Sequence, residues 1–314
     1  MGCFGGGTGL PSVLGGLKRV PLIDLHAVVT MFDSGGSSGM LRDELGVLPP
    51  GDVLKCTLTL ARNEREARKI LLARMPAGRN DRLGGHTGGN LLLSMMETYT
   101  GDFIAAVNGL RALLGCQGQV SPITTERSTI CAEYADGTTA RGEALVDAEQ
   151  MAGKPITRLW LEPRVSIHPE VARAIRAFDA VVIGPGSFFT SLLPIFLVDG
   201  CRDALANVRG PVIFIANLLT EGKGMAGFTA GEAVTRLGHA IGRPIDAVVF
   251  NVEPPPEDVL WRYASEQKSP LELGQLPSGC ELIAGGFWRG SIARHDRARL
   301  RSAVWAALAE RLFE

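Results

Sequence analysis

The residues best able to do chemistry in this chain sit in four glycine-rich strings: GGGTG at 5–9, DSGGSSG at 33–39, GGHTGGN at 84–90 and GPGS at 184–187. Glycine lets a backbone take positive φ and come close to a ligand, with N–H groups free to point at an anion. A glycine turn that leads into a helix N-terminus is a common phosphate cradle in α/β proteins. Gly6, Gly7, Thr8, Gly9, Gly184, Gly186 and Ser187 are therefore candidate contacts for a nucleotide or phosphate ester. The first string is not GxGxxG, because Leu10 stands where the third glycine would be, and it lacks the Gly-Lys-Ser/Thr ending of a Walker loop. Its plain alternative is a tight structural turn.

Asp33 follows the apolar, β-branched run 25–32. A carboxylate there can receive a ribose hydroxyl or hold a divalent cation beside phosphate. Ser37 and Ser38 add hydroxyls, and Arg42 can either grip a phosphate bidentately or pair with Asp43 at the surface. Asp52 follows Pro49-Pro50-Gly51 and is placed either to cap the next helix or to touch a ligand. His86 and Asn90 share the third string. His86 has no Cys or His at metal spacing, which argues against zinc. Asn217 and Thr220 follow one later strand and Asn251 ends the next, suggesting a shared polar rim. Ser187 is not in GxSxG, so no hydrolase elbow is indicated.

These loops need a scaffold of strand ends. Apolar runs at 1–4, 25–32, 157–161, 180–183, 212–216 and 247–251 alternate with helical patterns at 10–18, 53–75, 90–114, 168–177, 229–241 and 296–312. In the last of these, Leu300, Val304, Leu308 and Leu312 recur every four residues. Such alternation predicts a doubly wound, mostly parallel α/β sheet of Rossmann-like type, with ligands beyond the carboxyl ends of the strands. Asp136-Gly137 between two β-type runs predicts a hairpin, so 120–150 reads as a small antiparallel β excursion within a single domain spanning 1–314.

The chain has 314 residues and a formal net charge of −1, with no run of like charge to suggest nucleic-acid binding. The most apolar stretch, 180–198, is broken by glycines and prolines, so no membrane span is expected and no membrane is expected as a partner. Six scattered cysteines without CxxC read as reduced structural thiols in a cytoplasm. Folds of this kind commonly oligomerise, so a homo-oligomer is allowed, though no heptad argues for one.

Taken together, the strings resemble the gluconeogenesis-factor (YvcK-like) family within the CofD-like superfamily of 2-phospho-L-lactate transferases. The carriers are GGGTGL at 5–10, GGSSGMLRDELGVLPPGD at 35–52, GHTGGNLLL at 85–93, GPGSFFTSLLP at 184–194, NLLT at 217–220 and RHD at 294–296. The resemblance implies a cytoplasmic bacterial protein that binds a UDP-sugar such as UDP-N-acetylglucosamine, influences cell shape and wall synthesis, and has no established cofactor. It also implies sugar-nucleotide contacts from a tyrosine and a C-terminal arginine, which fall on Tyr263 and Arg294; by spacing alone both read as surface residues.

The transferase branch of the superfamily is the alternative. It moves a phospholactyl group from a GDP-activated donor to a deazaflavin using a divalent metal, and Asp33 and Asp52 would then hold Mg²⁺. Ser34 stands where that branch keeps a second aspartate, which removes one hard oxygen ligand. Two further departures, EGKGM at 221–225 and Ile195, fall at the expected rim.

Overall fold

The computed structural model describes residues 1–76, 83–290 and 292–312. Its frame is a seven-stranded sheet built from β1 (Gly2–Gly5), β2 (His26–Val29), β3 (Gln119–Pro122), β7 (Val181–Ile183), β8 (Val212–Ile215), β9 (Ala247–Asn251) and β10 (Glu281–Gly285). Every pairing in it is parallel, in the order β10-β9-β8-β7-β1-β2-β3. Strands buried on both faces can be apolar throughout, and β1, β7 and β8 are buried at every residue.

The strand order reverses at β1. The chain first moves outward through β2 and β3, then returns to β1's other edge with β7. That reversal is the position where open α/β sheets leave a crevice at the strand ends. Here it brings the loop after Gly5 beside the loop after Ile183, and Gly184 N–H donates to the Phe4 carbonyl at 2.8 Å.

Helices α1 (Gly9–Leu17), α2 (Gly36–Leu45), α3 (Gly51–Leu60), α4 (Glu64–Leu71), α5 (Gly88–Thr100) and α6 (Phe103–Leu113) fill the first half. The two long helical patterns of the sequence are each split. The first breaks after Leu60, and Asn63 caps the new start. The second breaks at Gly101, whose φ of +70° ends α5, and Asp102 caps α6 by accepting from Ile104 and Ala105.

The antiparallel excursion lies at β4 (Thr129–Tyr134), β5 (Thr139–Arg141) and β6 (Ile156–Glu162), in the order β5-β4-β6. It corrects the sequence expectation at both ends. Residues 119–122 belong to the parallel sheet, and the run at 157–161 pairs with β4 instead of joining that sheet. In this sheet β4 is buried at Ile130, Cys131, Ala132 and Tyr134, whereas β6 is buried only at Ile156 and Leu161. Helix α7 (Glu143–Met151) is carried on this excursion.

After α8 (Pro169–Arg176), a π-helical turn at Phe188–Leu192 runs into α9 (Leu193–Phe196), followed by α10 (Cys201–Ala206), α11 (Ala230–Ile241) and α12 (Glu257–Ala264). The hairpin β11 (Trp288–Arg289) with β12 (Ile292–His295) precedes α13 (Arg297–Leu312). Leu300, Val304 and Leu308 are buried as their spacing predicts; the side chain of Leu312 lies outside the described ones. Among the described residues, no helix is long and apolar enough to cross a membrane.

Candidate functional site

Two glycine loops meet so closely at the switch point that side chains are excluded there. A Cβ on Gly9 would lie 1.8 Å from the Pro185 carbonyl oxygen, and one on Gly6 would lie 2.3 Å from Thr30 Cγ2. Gly7, at φ +59°, needs the left-handed conformation. Gly7 N–H donates to Asp52 Oδ2 at 2.6 Å, and Lys55 pairs with Asp52 Oδ1 at 2.9 Å. Asp52 is therefore not the N-cap of α3; it ties the first loop to that helix.

Over these loops lies a cleft of about 320 Å³. Of the residues singled out in the sequence, Thr8, Gly9, Gly186, Ser187, Asn217, Thr220, Tyr263 and Arg294 line it together. Gly6, Gly7 and Gly184 form the backbone next to it. Arg294 is exposed and makes no hydrogen bond or ion pair among the described residues. Its hairpin is anchored by the adjacent His295, whose Nε2–H donates to the Ala216 carbonyl at the end of β8 (3.2 Å). Burial pulls the His295 pKa down to about 4, so the ring is neutral and can serve as this fixed strut.

The donors of the GPGS loop are already taken by a carboxyl group. Glu221 Oε2 accepts from Ser187 Oγ at 3.1 Å and from Phe188 N–H at 3.0 Å, and Oε1 accepts from Asn217 Nδ2 at 3.0 Å. Asn217 also exchanges two 2.9 Å bonds with the Gly186 backbone. Its amide is thus spent on holding the loop. Ser187 likewise donates to Glu221 and makes no side-chain cap bond. Burial pushes the Glu221 carboxyl up to about 7 against the pull of these donors. Lys268, on the same cleft, sits 5.8 Å from the centre of the Tyr263 ring and pairs with Glu266 at 2.6 Å.

Asp33, Ser37, Ser38, Arg42, His86 and Asn90 do not line this cleft. They belong to a neighbouring network at the end of β2. Ser37 Oγ lies 2.9 Å from His86 Nδ1 and accepts from Asn90 Nδ2 at 3.0 Å. Ser38 Oγ accepts from Gly51 N–H, and Asp33 Oδ1 from Gly35 N–H. Arg42 pairs with the exposed Asp43. Within the network, Asn90 Oδ1 is buried without a partner.

Sequence reasoning missed the carboxylates brought by α7. Glu143 accepts from Ser34 N–H at 2.8 Å and shares a hydrogen bond with Asp33; burial, then the Asp33 charge, raises its pKa strongly. Asp147 accepts from Thr190 Oγ1 at 2.9 Å and is also raised by burial. Only the antiparallel excursion places them here, and nothing in their local sequence marks them. Lys268 and Ser12 were likewise without a motif.

The model of the family described as 2-phospho-L-lactate transferase CofD matches residues 2–287. The chain belongs to this CofD family. Its similarity within the family is to gluconeogenesis factors. The Bacillus subtilis gluconeogenesis factor is 34% identical over 314 residues, covering 98% of this chain and 97% of its own length. That of Halalkalibacterium halodurans is 37% identical over 309 residues, covering 96% and 94%. A Nostoc sp. relative is 38% identical over 273 residues, which are 86% of this chain but 59% of the relative, so the chain spans well under two thirds of that longer protein. The crystal structure of a Bacillus halodurans protein superposes with a TM-score of 0.90 at 34% identity, covering 97% of this CofD-family chain and 98% of its own.

Proposed function

We propose that the cleft binds a nucleotide sugar of the UDP-N-acetylglucosamine kind, and that this cytoplasmic protein regulates carbon metabolism and cell-wall or cell-shape functions through that binding. One observation carries the reading. The loops after β1, β7 and β8, the ring of Tyr263 and the unpaired guanidinium of Arg294 converge on one cleft at the switch point. The N-terminal end of α1 and Arg294 offer charge to a diphosphate. Tyr263 offers a face for a base or sugar ring. Glu221 offers an acceptor for a hydroxyl or N–H of the ligand. The name gluconeogenesis factor, borne by the Bacillus subtilis relative, supports the metabolic part of the reading.

The alternative is transfer from a GDP-activated donor with Mg²⁺, which the family description favours. The side chains fit that metal poorly. Both Asp52 oxygens are engaged, one by Lys55 and one by Gly7, and among the described residues no group of three His, Cys, Asp or Glu is placed to hold a metal ion.

Calorimetric titration with UDP-N-acetylglucosamine and with GDP, each with and without Mg²⁺, separates the two readings. The expected result is UDP-sugar binding that ignores the metal. Metal-dependent binding of GDP alone would overturn the proposal in favour of the transferase.

A further inference from the structure

The end of α1 remote from the cleft carries a concentration of positive charge that no stretch of sequence displays. One groove of about 500 Å³ there is lined by Lys18, Arg19, Arg62, Arg65 and Arg68, with Glu64 as its acidic residue. A second, of about 290 Å³, shares Arg19 and adds Arg289, Arg297 and Arg301, with Asp296. The two grooves thus hold eight cationic side chains against two carboxylates, on a chain whose net charge is −1.

Internal pairing does not consume this charge. Glu64 is shared between Lys18 (3.0 Å) and Arg297 (2.9 Å), and Asp296 accepts from the backbone at the start of α13. The guanidinium groups of Arg19, Arg62, Arg68, Arg289 and Arg301 make no hydrogen bond or ion pair among the described residues, and that of Arg65 lies 4.0 Å from Glu66. Arg19 and Arg62 are exposed. Like charges gathered without counter-ions repel one another, and an external polyanion relieves that repulsion.

We propose that this face docks on an anionic membrane surface. Two large apolar side chains favour lipid over nucleic acid. Leu22, three residues beyond Arg19, is 77% exposed. Leu113, 75% exposed, precedes Leu114, whose carbonyl accepts from Arg62 N–H. Exposed leucines beside arginines suit the headgroup boundary, where apolar tips insert and cations meet lipid phosphates. Neither groove is lined by an aromatic side chain on which a base could stack. The cleft lies at the other end of α1, a nine-residue helix about 13 Å long, so docking leaves it open to water.

The test is co-sedimentation of the full chain with vesicles of phosphatidylglycerol and phosphatidylcholine in equal parts, beside vesicles of phosphatidylcholine alone. Binding is expected only to the anionic vesicles. Arg19→Gln with Arg62→Gln should weaken it about 30-fold, near fivefold per arginine, and Leu22→Ser should weaken it further. An unchanged melting temperature shows that each variant is folded. The proposal fails if anionic vesicles do not bind, or if Leu22→Ser and the arginine variant leave binding unaltered. It fails in favour of nucleic acid if a fluorescent oligonucleotide binds the same arginines while vesicles do not.

Discussion

Two polar regions flank the first glycine loop, and they differ in what their side chains have left to give. At the end of β2, Ser37, Ser38, Asp52 and His86 are buried and bonded to one another, to Lys55 or to backbone. At the ends of β7 and β8, Thr8, Tyr263 and Arg294 face the cleft, and the guanidinium of Arg294 is unpaired. The sequence strings behind the two regions look alike, glycines interleaved with hydroxyls. What separates them is whether neighbouring elements already satisfy the polar groups. Buried donors and acceptors must be satisfied within the fold, whereas exposed ones remain available to a ligand.

The largest expected effect tests the junction on which both regions rest. Gly9→Ala forces a Cβ to within 1.8 Å of the Pro185 oxygen unless the loops separate. Overpacking against backbone of this kind should cost about 3 kcal/mol of unfolding free energy, measured by denaturant titration. A loss below about 0.5 kcal/mol would show that the two loops are free to part, and the comparison would lose its common hinge.

A pair of variants then sets the two regions against each other. Arg294→Ala removes a charged donor and should weaken UDP-sugar binding about 30-fold, near 2 kcal/mol, with stability within about 0.5 kcal/mol of the parent. His86→Ala should do the reverse. It strips Ser37 of a buried partner, costing about 2 kcal/mol of stability, and should change affinity less than about threefold. Calorimetry and thermal melts on both proteins read the outcome. Lost binding in His86→Ala at parental stability would break the division, and the buried, unpartnered Asn90 Oδ1 would then be the place to look for a ligand atom.

The sheet was legible because buried parallel strands are continuous apolar runs, as at 25–32 and 212–216. The strands at Gln119–Pro122 and Glu281–Gly285 escaped notice because they lie at the sheet's edges: the first is short and half polar, and the second has a short apolar run with no fully buried residue. The glycine loops announced themselves through backbone demands that only glycine meets. The carboxylates of α7 could not, since Glu143 and Asp147 reach the loops through tertiary placement of a separate antiparallel sheet. Tyr263 and Arg294 were found by resemblance and not by pattern. A lone tyrosine or arginine carries no local signal.

Around Glu221 the open region resembles the closed one, because its carboxyl fills the donors of Ser187, Phe188 and Asn217. Its carboxyl is raised to about 7 from 4.5, chiefly by burial. Between those values the folded protein holds a proton that the unfolded chain has released. The stability this group contributes is therefore complete below about pH 4.5 and is lost as pH rises through 7. Binding should follow the same proton. A nucleotide sugar keeps its diphosphate charge across this range, so lowering the pH from 8 to 6 removes a negative charge from the protein's side only. The Asp147 charge pushes this carboxyl's pKa up and Lys268 pulls it down. Affinity should rise about fivefold over that interval, a Coulomb effect of roughly 1 kcal/mol at high effective dielectric. Glu221→Gln keeps an acceptor for Phe188 N–H but has no charge to lose, so its affinity should be higher at pH 8 and its pH profile flatter. Parallel profiles in the two proteins would mean that the ligand's phosphates never approach this loop and lie wholly on the side of α1 and Arg294.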